Sequence, residues 1–307
     1  MKLRIISSLF LVFAFCQNVL AYPIPPVPLR TLIIGSDAIV SAQVLKVERI
    51  EGDHDWTDSK ATLQIKEMLK GEIKSKTIFV YFSASMTCPA PADYQVGKTV
   101  LAFLNKMTKR KNSFYTPTLS YGTKYLKDQE WKIYKQRITE LLEIQSLVNE
   151  DAKIKLTIDW LIKCAHEPIL SWDGLHDLSS ESSFMADYDK DCNEYTLKYK
   201  LTERQSIEVR KLLFSTAERT GYIELGLVDL VMKENDKELM DFLVKQFKLE
   251  GSDMHYWGKM EFMRKIVKCG NRKDLNPIIA KMEILDYSDD DMEEKEKQLV
   301  KEFIGKI

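Results

Sequence analysis

Apolar and polar positions alternate along most of Asp37 to Leu104. In Asp37–Arg49, Ala38, Val40, Ala42 and Val44 fall on one face, and Ile39, Ser41, Gln43 and Leu45 on the other. A period of two with β-branched residues predicts a strand. Lys60–Leu69 repeats the pattern, with Ala61, Leu63 and Ile65 set against Thr62, Gln64 and Lys66. Lys76–Ser83 sets Ile78, Val80 and Phe82 against Thr77, Phe79 and Tyr81. The polar, acidic Ile50–Ser59 reads as a hairpin loop, Leu69-Lys70-Gly71 as a turn, and Ser83–Ala92, with Pro89 and Pro91, as a loop. Thr99–Leu104 is apolar almost throughout, the pattern of a central strand. Phe114–Tyr121 adds one more strand. Five or six short strands joined by polar turns predict a small barrel or sandwich.

The period changes near Lys127. Glu130–Val148 carries Ile133, Ile138, Leu141, Leu142, Ile144 and Val148 at helical spacing, and Asp151–Ala165 carries Ile154, Ile158, Leu161 and Ile162. An irregular segment covers 166–200. Further helices are predicted over Glu203–Arg219, Ile223–Lys233, Lys237–Phe247, Tyr256–Cys269, Pro277–Leu285 and Met292–Ile304. Thr202-Glu203-Arg204-Gln205 has the form of a capping box. Asn276-Pro277 and Ser288 with Asp291 are further start signals. The short links imply antiparallel neighbours, and the lengths resemble a stack of HEAT-type hairpins, without a fixed period in residue identity. The expected architecture is α+β in two domains. Residues 31–128 form the β-barrel and 129–307 an all-α helical-hairpin region interrupted at 166–200.

The N-terminus changes the picture of where such a chain works. Met1-Lys2-Leu3-Arg4 is basic, Ile5 to Phe15 is apolar, and Val19-Leu20-Ala21 places small residues at the positions a signal peptidase reads. The apolar run is shorter than the roughly 20 residues a spanning helix needs, so residues 1–21 are expected to be a cleaved leader rather than an anchor. No second hydrophobic span follows, and the mature chain is expected to be secreted or periplasmic. Residues 22–30 form a proline-rich lead, extended because proline fixes φ and lacks the amide donor. Cys88, Cys164, Cys192 and Cys269 follow the leader. In an oxidising compartment they permit up to two disulfides, and Cys164 with Cys192 is the first choice because both flank the irregular segment.

Composition excludes more than it assigns. The chain has 307 residues, 45 Lys and Arg against 46 Asp and Glu, and 45% hydrophobic residues. This is the make-up of a soluble globular protein, and the balance creates no long-range field for nucleic acid. The basic Lys106–Lys111 is expected to be a solvated hairpin loop.

Ser36-Asp37-Ala38-Ile39-Val40, then Ala61-Thr62-Leu63-Gln64-Ile65-Lys66-Glu67-Met68-Leu69-Lys70-Gly71, then Cys88, then Val96-Gly97-Lys98-Thr99-Val100-Leu101-Ala102-Phe103-Leu104 form an ordered series. This third of the chain resembles the netrin-like fold of the tissue inhibitors of metalloproteinases, and is most similar to bacterial secreted proteins of that type. The resemblance implies a five-stranded OB-type barrel packed on a helix. It also implies extracellular protein binding. Inhibitors of this fold bind the protease zinc through an N-terminal cysteine. Cleavage here would expose Tyr22 followed by Pro23, so the inhibitory mechanism has no residue to act through.

There is no HExxH, Gly-x-Ser-x-Gly or phosphate-loop motif, and only four histidines. The candidate chemistry gathers in the irregular segment. His166 and His176 are the candidate metal ligands, although their spacing fits no closed zinc pattern. Trp172, His176 and Asp177 are the candidate binding residues, because aromatic anchors dominate protein contacts and a connection this long usually carries a function or is pinned down. Asp187-Tyr188-Asp189-Lys190-Asp191 alternates acids as a calcium loop does, but lacks the central Gly and the distal Glu. The expectation is an exported, non-enzymatic protein-binding or scaffold protein of the cell envelope, with no cofactor, an unknown protein partner, no nucleic acid and no membrane span. The alternatives are a metal-dependent hydrolase with a site in 164–192, and a metalloprotease inhibitor acting through a surface other than an N-terminal cysteine.

Overall fold

The computed structural model describes residues 26–50, 57–86, 90–108, 110–191, 194–220, 224–233, 235–251, 254–286, 288 and 291–307, with backbone only at 216–220 and 250. The expected leader, residues 22–25 of the proline-rich lead, most of the acidic loop before Ser59, Cys88 and Cys192 lie outside these residues. The chain forms two compact units, one ending at Glu143 and the other beginning at Ile144. No helix among the described residues is long and apolar enough to cross a membrane.

The first unit opens with α1 (Leu29–Gly35). The barrel strands are β1 (Ala38–Arg49), β2 (Ser59–Lys70), β3 (Thr77–Phe82), β4 (Thr99–Lys106) and β5 (Ser113–Tyr115), with a two-residue β6 (Thr123–Lys124) on the outer edge of β4. They pair in the order β1-β2-β3-β5-β4, and β4 returns to β1, so the sheet closes. β3 and β5 are parallel and the other barrel pairs antiparallel. This is the five-stranded Greek-key closure of an OB-type barrel.

The alternation read from the sequence sets the interior. Ala38, Val40, Ala42, Val44, Ala61, Leu63, Ile78, Val80, Val100, Ala102, Leu104 and Phe114 form one buried cluster. Thr99–Lys106 is apolar on both faces for a second reason. Ile39 lies opposite Phe103 and Ser41 opposite Leu101, and all four are buried although they point away from the interior. The outside of the barrel is therefore covered here as well. The closure is tied by Asp37, whose carboxylate accepts the Lys106 amide at 2.8 Å while its own amide donates to the Asn105 side chain at 3.0 Å. Lys70 Nζ donates to the terminal carbonyls of α1, to Ile33 at 2.7 Å and Ile34 at 3.0 Å, which satisfies acceptors that a helix end leaves open.

Where one strand was expected over Phe114–Tyr121, the structure has β5, a 3-10 turn at Leu119–Gly122, and β6. Helix α2 (Asp128–Gln145) follows and is joined to β2 by Lys135–Glu67 at 2.5 Å. The boundary expected at 128/129 sits at the start of this helix, whereas the division into units falls near its end.

The second unit contains α3 (Glu150–His166), α4 (Ser171–Leu178), a ribbon of β7 (Ala186–Asp189) and β8 (Glu194–Leu197), α5 (Glu203–Thr220), α6 (Leu225–Val231), α7 (Lys237–Glu250), α8 (Tyr256–Cys269), a 3-10 turn at Lys273–Leu275, α9 (Asn276–Glu283) and α10 (Met292–Lys306). Successive helices pack as pairs, α3 with α4, α5 with α6, α7 with α8 and α9 with α10, the helical-hairpin layout. The capping box forms: the Gln205 amide donates to Thr202 Oγ1 at 3.3 Å, and the Thr202 amide to Gln205 Oε1 at 3.0 Å. Ser288 does not cap α10. It bonds Asp286 in a local turn, and α10 starts after Asp291 without a side-chain cap.

Residues 166–200 are more ordered than expected. They hold α4 and the β7–β8 ribbon, in which Tyr188 pairs with Tyr195 across the strands and Asp187 and Asp189 sit in β7. An extended strand spreads these acids apart instead of curling them around one centre.

Candidate functional site

The site is built on α3. Asn149 caps it by accepting the Ala152 amide at 2.8 Å. Leu161 and Ala165 then form the seat for α4. Gly174 lies so close to that seat that a Cβ would overlap the backbone of Leu161 and Ala165. An eight-residue helix is not stable alone in water. This one is held by Leu170 and Leu178, both fully buried, and by the close approach at Gly174.

Docking one face of α4 leaves the other outside. Trp172 and His176, one turn apart, stack with ring centroids 4.8 Å apart and planes tilted by 42°. Trp172 is 43% exposed, and the His176 side chain is 42% exposed. Beneath them Asp177 is buried, with Oδ1 3.2 Å from His176 Nδ1. Its backbone carbonyl accepts the Ser182 hydroxyl at 2.7 Å, and that hydroxyl accepts the Met185 amide at 3.1 Å. The turn after α4 is thereby fixed as firmly as the helix.

Carboxylates surround the imidazole. The hydrogen bond to Asp177 raises the His176 pKa, burial opposes it, and the charges of Asp177, Glu224 and Asp173 raise it further. Glu224, just before α6, is pushed up by its own burial and by Glu181, with His176 opposing. Burial also raises Glu261 of α8, and Glu181 adds to the effect. Asp229 in α6 behaves differently. Burial pushes it up, but Lys265, Lys268 and Ser180 together more than offset this and the net shift is down. Asp229 is the junction of α6, α8 and the turn: it accepts Ser180 Oγ at 3.0 Å and pairs with Lys265, while the Ser180 amide donates to the Gly226 carbonyl at 3.1 Å.

The candidate residues are only partly brought together. Trp172, His176 and Asp177 form one constellation. His166, at the end of α3, instead faces Glu208 of α5, with Nε2 3.9 Å from Oε2. No group of three or more His, Cys, Asp or Glu side chains arranged to hold a metal ion is present among the described residues. Cys164 is buried within α3. Its expected partner Cys192 lies outside the described residues, and no disulfide is found among them. Cys269 donates its thiol to the Asp236 carbonyl at 3.3 Å, and burial pushes it up to about 11. Such a thiol is a poor nucleophile at neutral pH.

Sequence reasoning missed Glu181, Glu224, Gly174 and Asp229. Gly174 carried a signal, because a glycine among aromatic and leucine residues marks close backbone approach. Glu224 carried none, since only the placement of α6 brings it to His176. No protein-family model matches the chain, and no curated protein matches it in sequence.

Proposed function

We propose that this chain is an exported, non-enzymatic protein-binding or scaffold protein of the cell envelope. Its barrel is a netrin-like platform and its contact surface is the outer face of α4. One observation carries the reading. Trp172 and His176 stand exposed and stacked on a helix whose other face is locked to α3 through Gly174. A preordered indole loses little conformational freedom when a partner covers it, and Trp is among the residues that dominate binding energy. Asp173, Asp177 and Glu224 hold His176 toward its cationic form, which gives the anchor a polar edge. Export rests on the leader read in residues 1–21, and the platform on the strand-and-turn series from Ser36 to Leu104.

The test is affinity capture with the immobilised full chain against the native envelope fraction, run beside Trp172→Ala and His176→Ala. A protein retained stoichiometrically by the parent chain and released by either substitution, with both variants still unfolding cooperatively, supports the reading. The same captured set on all three chains overturns it. Stoichiometric zinc that disappears when His166 and His176 are replaced would instead favour the metal-dependent hydrolase.

A further inference from the structure

The far end of the helical unit carries an open groove of about 600 Å³ between α8, the Lys273–Leu275 turn and α9. Its floor is apolar, with the largely buried Val267 and Ile279 showing an edge each and Ala280 exposed beside them. Its rim is cationic. Arg264 is paired with Glu283 at 2.7 Å, and Glu283 is the one acid among the described residues that line the groove. Lys268 is 67% exposed and reaches Asp229 only at 3.4 Å, where Lys265 already holds that carboxylate. Lys273 is exposed, and its ammonium has no ion-pair partner among the described residues. Among the residues that line the groove the cations Arg264, Lys268 and Lys273 therefore outnumber the single acid Glu283 beside an apolar strip, on a chain whose net charge is only −1.

We propose that this groove binds a short acidic peptide segment of a partner protein, with an apolar side chain next to its carboxylates. Lys268 and Lys273 take the carboxylates, the Asn271 and Asn276 amides line the same rim, and Val267 and Ile279 take the apolar side chain. The chemistry selects this occupant over the other anions. A free phosphate would use the lysines and leave the apolar strip bare to water, which forgoes the hydrophobic contribution. A nucleic acid backbone needs a continuous basic track, which the few cations of this rim do not make. The groove shares no side chain with the α4 face, and only Lys268 reaches Asp229 of the junction beside that face, so Lys273→Glu separates failure of the groove from failure of the α4 site.

The experiment is fluorescence anisotropy with the full chain and a labelled peptide that alternates Asp or Glu with Leu. Two companion peptides replace the acids by Asn and Gln, or the leucines by Ser. Saturable binding of the parent peptide, weaker binding of both companions and a loss of roughly tenfold or more with Lys268→Glu/Lys273→Glu are expected. Charge reversal at the exposed Lys132 and Lys155 controls for net charge and should leave affinity unchanged. Circular dichroism checks the fold, and because Lys268→Glu places a second acid against Asp229, Lys273→Glu alone, which breaks no ion pair among the described residues, repeats the test and should also weaken binding. No saturation by the acidic peptide, equal loss with the control reversals, or full displacement by equimolar inorganic phosphate would each overturn the proposal.

Discussion

In the barrel, no Asp, Glu, Lys or Arg is buried among the described residues from Ala38 to Phe114. In the helical unit, charged side chains cross between helices in partly or fully buried positions. Lys259 of α8 meets Glu296 of α10 at 2.6 Å, with both side chains about 10% exposed. Arg210 of α5 forks onto Asp236, ahead of α7, at 2.6 and 2.8 Å. Gln205 of α5 bonds Asp159 of α3 at 2.8 Å. The contrast follows from where each architecture uses its backbone. Strands are joined by their own amides and carbonyls, so barrel side chains are left to fill volume. A helix satisfies its backbone internally, so only side chains can define how one helix meets the next. The barrel interior should therefore be insensitive to salt, and the helical unit should respond to it.

The strongest test leaves one buried charge alone. Glu296→Leu strands the Lys259 ammonium and should cost about 3–5 kcal/mol, while Lys259→Met/Glu296→Leu together should recover most of it. Hydrogen exchange in α8 and α10 reads the difference. A double variant as unstable as the single one would mean that packing, not charge, holds α10. In the barrel, Leu63→Ala should cost about 3 kcal/mol by leaving a cavity, and that cost should be the same in low and high salt. A salt-dependent cost in urea unfolding would break the contrast.

Gly174→Ala should cost about 2 kcal/mol by forcing α4 off α3, and should red-shift tryptophan emission as Trp172 is released. Asn149→Ala removes the cap of α3 and should cost about 1 kcal/mol, without moving Trp172. The smallest effect is a pH dependence. Because the folded-state pKa of His176 is raised, its stabilising contribution is fully present below the unfolded value of about 6.5. It is lost as pH rises through the folded value. The imidazole should titrate above its usual midpoint by NMR, and His176→Gln should remove that slope from the stability curve between those two values.

Most of the barrel was legible because period-two alternation is a local property. The faces Ala38-Val40-Ala42-Val44 and Ile78-Val80-Phe82 enter the interior as their spacing predicts. The parallel seam of β3 with β5 was not legible. It joins Phe79 to Ser113 and Val80 to Phe114, far apart in sequence, and β5 is too short to show a period. Of the candidate site, Trp172, His176 and Asp177 stood out by residue type. Their arrangement did not, because Trp172–Leu178 has neither a side-chain cap nor the length to be helical alone. His166 had the same residue type as His176, but faces Glu208 instead.

By itself the sequence determined the inward-facing positions of β1 and β3 and the extent of most long helices, because both follow a period that neighbouring residues set. Tertiary structure alone decided that the strands close, that α4 exists, that Glu224 faces His176 and that Lys259 finds Glu296. Each of those depends on segments distant in the chain, and no local pattern encodes the distance between them.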